Sequence, residues 1–280
     1  MSASSSTGDG HVALGVMPGS WEQAVMMSRY QFRDYLRSRR FILMMAIVAI
    51  IGAILILVVA HFRPVALIGS TTAYYGTLWV GGSEILIIFA GIIFGGDAIA
   101  GEFQNKTGYF LMGLPIKRWS VYAGKYLAAF SASVVTLLVY LAILLAYGTV
   151  WFGASIPTVA LLESFVLALL YLSALLGTTF LFSSLFKTSL YAVLVVAVMF
   201  LFGFSLIIDL LEGLVGIEPW FIVTYANTVI AYPFSGVPEH IGRIAIQDNP
   251  TYFEGISIML AYFLGTTGGG LALFEREEFT

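Results

Sequence analysis

Six continuous apolar runs, each long enough to cross a lipid bilayer, dominate this chain of 280 residues. A bilayer core takes about 20 apolar residues per helix, and the runs fall near residues 41–60, 74–96, 119–147, 157–186, 189–211 and 253–274. Only 10% of the residues are charged, against roughly 25% in soluble domains. The sequence therefore predicts an all-α integral membrane protein with about six transmembrane helices, formed by residues 41–280.

Composition excludes several classes of function. The net charge of −3 gives no basic field for nucleic acid, and the absence of Cys removes disulfides and thiolate chemistry. The three His residues are scattered, without metal-ligand spacing. We expect no catalytic residue, no metal site and no nucleic-acid partner.

The distribution of Lys and Arg predicts the orientation of the chain. Eleven of the thirteen lie before the first run, between the second and third, between the fourth and fifth, or after the sixth, and only Arg63 and Arg243 lie on the other side. The positive-inside rule then places both termini in the cytoplasm. We expect a multi-pass protein of the cell (plasma) membrane.

Residues 20–40 have the pattern of a separate amphipathic helix, preceded by a Ser- and Gly-rich tail at residues 1–19 that we expect to be disordered. Ser20 and Gln23 suggest a capping box at the helix start. Four arginines share one helical stripe beside an apolar stripe, which is typical of a helix lying in the membrane interface with its cations at lipid headgroups. The alternative is a cytosolic extension of the first span. The arginines are Arg29, Arg33, Arg37 and Arg40.

The longest connection, residues 209–254, is broken by four prolines and lies on the predicted outer side. Its central part, residues 220–232, is apolar and aromatic but too short to cross a bilayer. We expect a re-entrant or interfacial segment before the last span.

The inner loop at residues 97–118 combines helix-start, charge and helix-stop signals. Asp97 follows two glycines and is suited to cap a helix. Glu102 and Lys106 have the favourable i, i+4 order, and Pro115 ends the pattern. This predicts a short charged helix at the cytoplasmic face, and the alternative is a solvated loop.

The order of residues in and after this loop resembles the ABC-2-type permease family, the membrane subunits of ABC exporters. Its motif reads Asp97-x-Ile99-x-x-Glu102, then Thr107-x-x-x-Leu111-x-x-x-Pro115-Ile116-x-Arg118, and ends in Gly124-Lys125. One departure is Lys106, where the family pattern has Gly before the Thr. The amphipathic helix, six spans, outer insertion and charged tail extend the resemblance over essentially the whole chain.

The resemblance implies that the inner loop is a coupling helix for an ATP-binding cassette ATPase subunit. The residues carried over to that role are Asp97, Glu102, Thr107, Pro115 and Arg118. It also implies a second permease copy or homologue, as a homo- or heterodimer. ATP and Mg would be bound by the ATPase subunit, and we expect no cofactor on this chain.

The chain carries no phosphate-binding loop of the form G-x-x-x-x-G-K-[ST], since Gly124-Lys125 is followed by Tyr126 and lacks the upstream Gly. The expected function is therefore a permease subunit, most simply of an exporter, that depends on a separate ATPase. The alternatives are a secondary transporter, although no internal repeat is visible, and a non-transporting accessory subunit.

Three polar residues within the runs are candidates for a translocation path. Glu84 lies inside the second run, where an acid usually faces a cavity or a partner. Thr178 and Thr179 lie late in the fourth run, where hydroxyls more often pack between helices. Local pairing of Glu84 is the alternative for that residue.

Overall fold

A computed structural model describes residues 19–62, 70–105, 116–153, 155–236 and 250–276, which form helices and turns without a β-strand. Six helical stretches in these ranges are long and apolar enough to cross a membrane. They confirm the all-α prediction of about six spans. The tail predicted at residues 1–19 lies outside the described residues, apart from Gly19. The six stretches are Arg39–Val58, Thr71–Gln104, Arg118–Phe152, Thr158–Leu185, Ser189–Leu210 and Tyr252–Arg276.

Short irregular turns join or extend the regular helices. Three π-helical turns, Gly91–Gly95, Met199–Gly203 and Leu211–Val215, and one 3-10 turn, Asn227–Ala231, lie between or after α-helical stretches. In chain order the α-helices are α1 (Ser20–Arg37), α2 (Arg39–Phe62), α3 (Thr71–Ala90), α4 (Ala100–Gln104), α5 (Arg118–Phe152), α6 (Thr158–Leu185), α7 (Ser189–Val198), α8 (Phe204–Leu210), α9 (Val223–Ala226), α10 (Tyr232–Ser235) and α11 (Tyr252–Arg276).

Helices α3 and α6 form the centre of the bundle, and α2, α7, α8 and α11 lie at its periphery. Small residues allow the central helices to approach their neighbours closely, as is usual between membrane helices. A Cβ at Gly177 of α6 would lie 2.6 Å from Oγ1 of Thr266 and 2.7 Å from Oγ1 of Thr267 in α11. At Gly95, after α3, a Cβ would overlap the Thr179 hydroxyl of α6. The apolar runs of the sequence thus pack through a few glycine contacts.

Helix α1 is separate from α2, as the sequence predicts, because the chain is extended at Ser38. The predicted capping box of Ser20 and Gln23 is wrong by one residue, since the Glu22 carboxylate accepts the Gly19 N–H at 3.0 Å. The helix lies along α5, where the Ser120 hydroxyl donates to the Ser20 carbonyl at 2.8 Å. It is therefore anchored to the bundle.

The segment at residues 219–236 folds back against α3, α6 and α11 at the end of the bundle where α3 begins. The Ser164 hydroxyl of α6 accepts from Trp79 Nε1 at 2.9 Å and donates to the Ile230 carbonyl at 2.6 Å. The Tyr262 hydroxyl of α11 donates to the Phe221 carbonyl at 2.6 Å. These bonds satisfy backbone groups that would otherwise be costly in lipid, which fits the predicted re-entrant segment.

Candidate functional site

The regular α-helix of α3 gives way to irregular turns and a short helix at residues 91–105, here called the elbow. It consists of the π-helical turn Gly91–Gly95, a turn at residues 96–99, α4 and Asn105. The buried Tyr35 hydroxyl of α1 donates to the Phe94 carbonyl at 3.1 Å. Burial raises the pKa of Tyr35 above its ordinary value, and the nearby Asp97 carboxylate raises it further. The phenol therefore stays neutral and acts as a fixed donor that ties α1 to the elbow.

Asp97 in the elbow forms a bidentate ion pair with Arg40 of α2. Arg40 Nη1 donates to Asp97 Oδ1 at 2.6 Å and Nη2 donates to Oδ2 at 2.5 Å. This planar geometry is the stronger form of an Arg–carboxylate contact. The prediction that Asp97 caps the following helix is wrong, because the N-cap residue of α4 is Ile99. Arg40, assigned from its helical stripe to lipid headgroups, binds the elbow, and the contact of its exposed half with headgroups stays a prediction.

The start of α4 is capped by a residue from another helix. The buried Ser183 hydroxyl of α6 accepts hydrogen bonds from the N–H groups of Ile99 and Ala100, both at 3.0 Å. The first N–H groups of a helix have no partner within it. Ser183 thus caps the start of α4, the role that was predicted for Asp97. Nothing in the local sequence indicates this, because the contact crosses 84 residues.

Lys125 of α5 contacts two groups of the elbow. The lysine is 4% exposed, and its Nζ donates to the Ala98 carbonyl at 3.0 Å and to Glu102 Oε1 at 2.5 Å. A buried ammonium group requires such partners. The sequence placed Lys125 among the headgroup-level cations, so its buried position was missed. The only signal was its place at the end of the family motif.

The elbow also contacts the next inner turn. The Gln104 side-chain oxygen accepts from the Ser189 N–H at the start of α7 at 2.8 Å. Between the elbow and α1 lies a polar cleft of about 160 Å³. Charged groups of both signs line this cleft, so it is suited to polar side chains. Its lining includes Tyr35, Arg40, Asp97, Glu102, Asn105 and Lys125.

Arg118, another predicted coupling residue, contacts the last span. Arg118, at the start of α5, donates from Nη1 to the Glu275 carbonyl of α11 at 2.7 Å. It joins the beginning of one span to the end of another. Thr107 and Pro115 lie outside the residues that the structure describes.

The remaining arginines of the amphipathic stripe differ from Arg40. Arg29, Arg33 and Arg37 are exposed on α1, as Arg40 is at the start of α2, but none of the three forms an ion pair among the described residues. Their contact with lipid headgroups stays a prediction.

The predicted translocation-path residues separate into two environments. The buried hydroxyls of Thr178 and Thr179 donate to carbonyls of their own helix, those of Ala174 and Leu176. Both threonines lie within the helix packing, and a role in a path stays a prediction. Glu84 of α3 is half-buried, and the Asn227 side chain lies within hydrogen-bonding reach of its carboxylate.

Metal chemistry gains no support from the geometry. In the described ranges no group of three or more His, Asp or Glu side chains lies close enough together to hold a metal ion. The elbow instead brings ion pairs and backbone hydrogen bonds from several helices to one place. Such an arrangement fixes the position of the elbow relative to these helices.

Comparison with known proteins gives a match at the level of the family. Residues 27–279 match the ABC-2 family transporter proteins. The comparison with individual curated proteins gives no match. Because the match covers almost the whole chain, this protein belongs to the ABC-2 family of transporter proteins.

Proposed function

We propose that this chain is the permease subunit of an ABC exporter, and that a separate ATP-binding cassette ATPase subunit supplies ATP hydrolysis. ATP and Mg would be bound by that subunit. Two permease chains, identical or homologous, would form the pore. Both termini and the elbow would lie in the cytoplasm, in agreement with the distribution of Lys and Arg.

The observation that carries the proposal is the set of bonds between the elbow and the rest of the bundle. Side-chain hydrogen bonds or ion pairs join it to α1, α2, α5, α6 and the start of α7. A displacement of the elbow is therefore passed to several spans at once. A solvated loop needs none of these contacts. This supports the inner loop as the element on which an ATPase subunit acts.

The same contacts refine the role expected of Glu102. Its carboxylate pairs with Lys125 and only 17% of its side chain is exposed. We therefore assign Glu102 to holding the elbow in shape. Gln104 and Asn105 are exposed beside it, and these side chains, with the adjoining inner loop, are our candidates for direct contact with the ATPase subunit.

Co-purification with an ATPase subunit tests the proposal. The tagged full chain is expressed in its native host, extracted in a mild detergent and purified in parallel with an unrelated six-span protein. We expect an ATP-binding cassette protein to co-purify only with this chain, and ATPase activity only in that complex. A chain that transports under an ion gradient without such a subunit would support the secondary-transporter alternative, and a chain with neither property would support an accessory role.

A further inference from the structure

A buried polar cluster lies between α3, α6 and the re-entrant segment, at a distance from the elbow. Glu84 lies thirteen residues from the start of α3, about 20 Å along the helix. Asn227 is 5% exposed and its side chain lies within hydrogen-bonding reach of the Glu84 carboxylate. The side chains of Tyr171 and Thr224 approach the same place, but neither hydroxyl has a hydrogen-bond partner of good geometry. The cluster thus retains unused polar groups.

The Glu84 carboxylate has no basic partner within the described part of the chain. The two ion pairs found there are both at the elbow, and they use Arg40 and Lys125 for Asp97 and Glu102. An acid inside a membrane protein without an opposite charge attracts a cation or marks a functional site. The cluster therefore has a net preference for positive charge.

One side of this cluster is open. Gly81, one helical turn before Glu84, is exposed, and a Cβ built there would meet no atom within 4 Å. Ile85 beside it is 45% exposed. Asn227 of the re-entrant segment lies beside the carboxylate. Glu84 itself is half-buried, so its carboxylate is partly accessible beside this apolar surface of α3.

We propose that Glu84, Asn227 and Tyr171 form a binding site for the cationic group of an amphipathic organic molecule. The carboxylate neutralises the cation, the amide and phenol supply polar contacts, and the apolar part lies along Gly81 and Ile85. No second acid joins Glu84 in a metal-binding group among the described side chains, so a singly charged organic cation fits better than a metal ion. As a statement about transported cargo, the inference rests on the proposed function.

Equilibrium binding with two matched probes tests this site. The full chain in lipid nanodiscs is titrated with tetraphenylphosphonium, and in parallel with tetraphenylborate, which has similar size and apolar surface but negative charge. We expect saturable binding of the cation above that of empty nanodiscs, and only partitioning of the anion. Glu84→Gln should weaken cation binding at least about tenfold, because a charge-assisted contact is lost. Glu163→Gln, at an exposed acid of α6, should leave it unchanged.

Folding of the variants is checked by thermal unfolding and size-exclusion chromatography. Glutamine can keep a hydrogen bond to Asn227, so Glu84→Gln should fold. Glu84→Asp retains the charge and should retain saturable binding.

The proposed site is wrong if wild type shows no saturable cation binding, if both probes bind alike, or if folded Glu84→Gln binds the cation as wild type does. Co-purification of an ATPase subunit is measured separately and should be the same for Glu84→Gln, so failure of this site and failure of the proposed function are distinguishable.

Discussion

Two ion pairs at the elbow lie in different surroundings. The Lys125 side chain is 5% exposed in its pair with Glu102, whereas the Arg40 side chain is 50% exposed in its pair with Asp97. Solvent screens the more exposed pair, and such pairs contribute roughly 0–1 kcal/mol. Removing one partner of a buried pair costs about 3–5 kcal/mol, because a charge is left without compensation. Lys125 is therefore the charge on which the shape of the elbow most depends.

Charge reversal at Glu102 tests that dependence. We expect Glu102→Lys to place two cations together, displace α4 and lower co-purification of the ATPase subunit or stimulated ATPase activity by at least tenfold. The double variant Glu102→Lys with Lys125→Glu restores opposite charges and should recover much of the lost activity. Recovery is the result that separates an internal pair from a direct contact with the partner. Full activity of the single variant would contradict a role for this pair in coupling.

At the level of elements, α4 is a helix of five residues, too short to be stable alone. It depends on the cap that Ser183 provides from α6. We expect Ser183→Ala to destabilise α4 locally by about 1–2 kcal/mol, because two N–H groups lose their acceptor. Hydrogen–deuterium exchange of a peptide covering residues 99–105 measures this loss as faster exchange.

The neighbouring residue supplies a matched control for this cap. Ser184 is also buried, but its hydroxyl donates to the Phe180 carbonyl of its own helix at 2.9 Å. Ser184→Ala should leave exchange at residues 99–105 unchanged. Equal exchange in the two variants would mean that α4 does not depend on the Ser183 cap.

The contact between α1 and α5 depends on Gly124. A Cβ there would lie 2.7 Å from Cβ of Met27 and 2.8 Å from the Ala24 carbonyl oxygen, so even alanine must move α1. We expect Gly124→Ala to lower the free energy of unfolding by about 1–3 kcal/mol. At Gly265 of α11 a Cβ would meet nothing within 4 Å, and Gly265→Ala should be neutral or slightly stabilising. Thermal unfolding in one detergent compares the two; equal effects would contradict tight packing of α1.

At the scale of the whole molecule, the number and order of spans could be predicted because a span is a local property of sequence. An uninterrupted apolar run of the right length determines it. The contacts of the elbow could not be predicted in this way. The i, i+4 rule indicated Lys106 for Glu102. Lys106 lies outside the described residues, and within them Glu102 pairs with Lys125, 23 residues away. Arg40 meets Asp97 across 57 residues, and helical periodicity carries no information at such separations.

The absence of Cys allows a direct test of orientation. Eleven of the thirteen basic residues fall on the side predicted to be cytoplasmic, and transfer of so many cations across the bilayer is unfavourable. We introduce Asn105→Cys at the elbow and Glu218→Cys after α8, both at exposed positions. A membrane-impermeant maleimide should label Glu218→Cys in intact cells and Asn105→Cys only after permeabilisation.

The parent chain, which cannot react, sets the background of this experiment. Labelling of Asn105→Cys in intact cells, with Glu218→Cys protected, would invert the topology. The elbow would then face away from cytoplasmic ATP, and no ATPase subunit could act on it. The expected pattern instead places all five of its helix contacts within reach of a cytoplasmic partner. Orientation is thus the property on which the coupling proposal depends first.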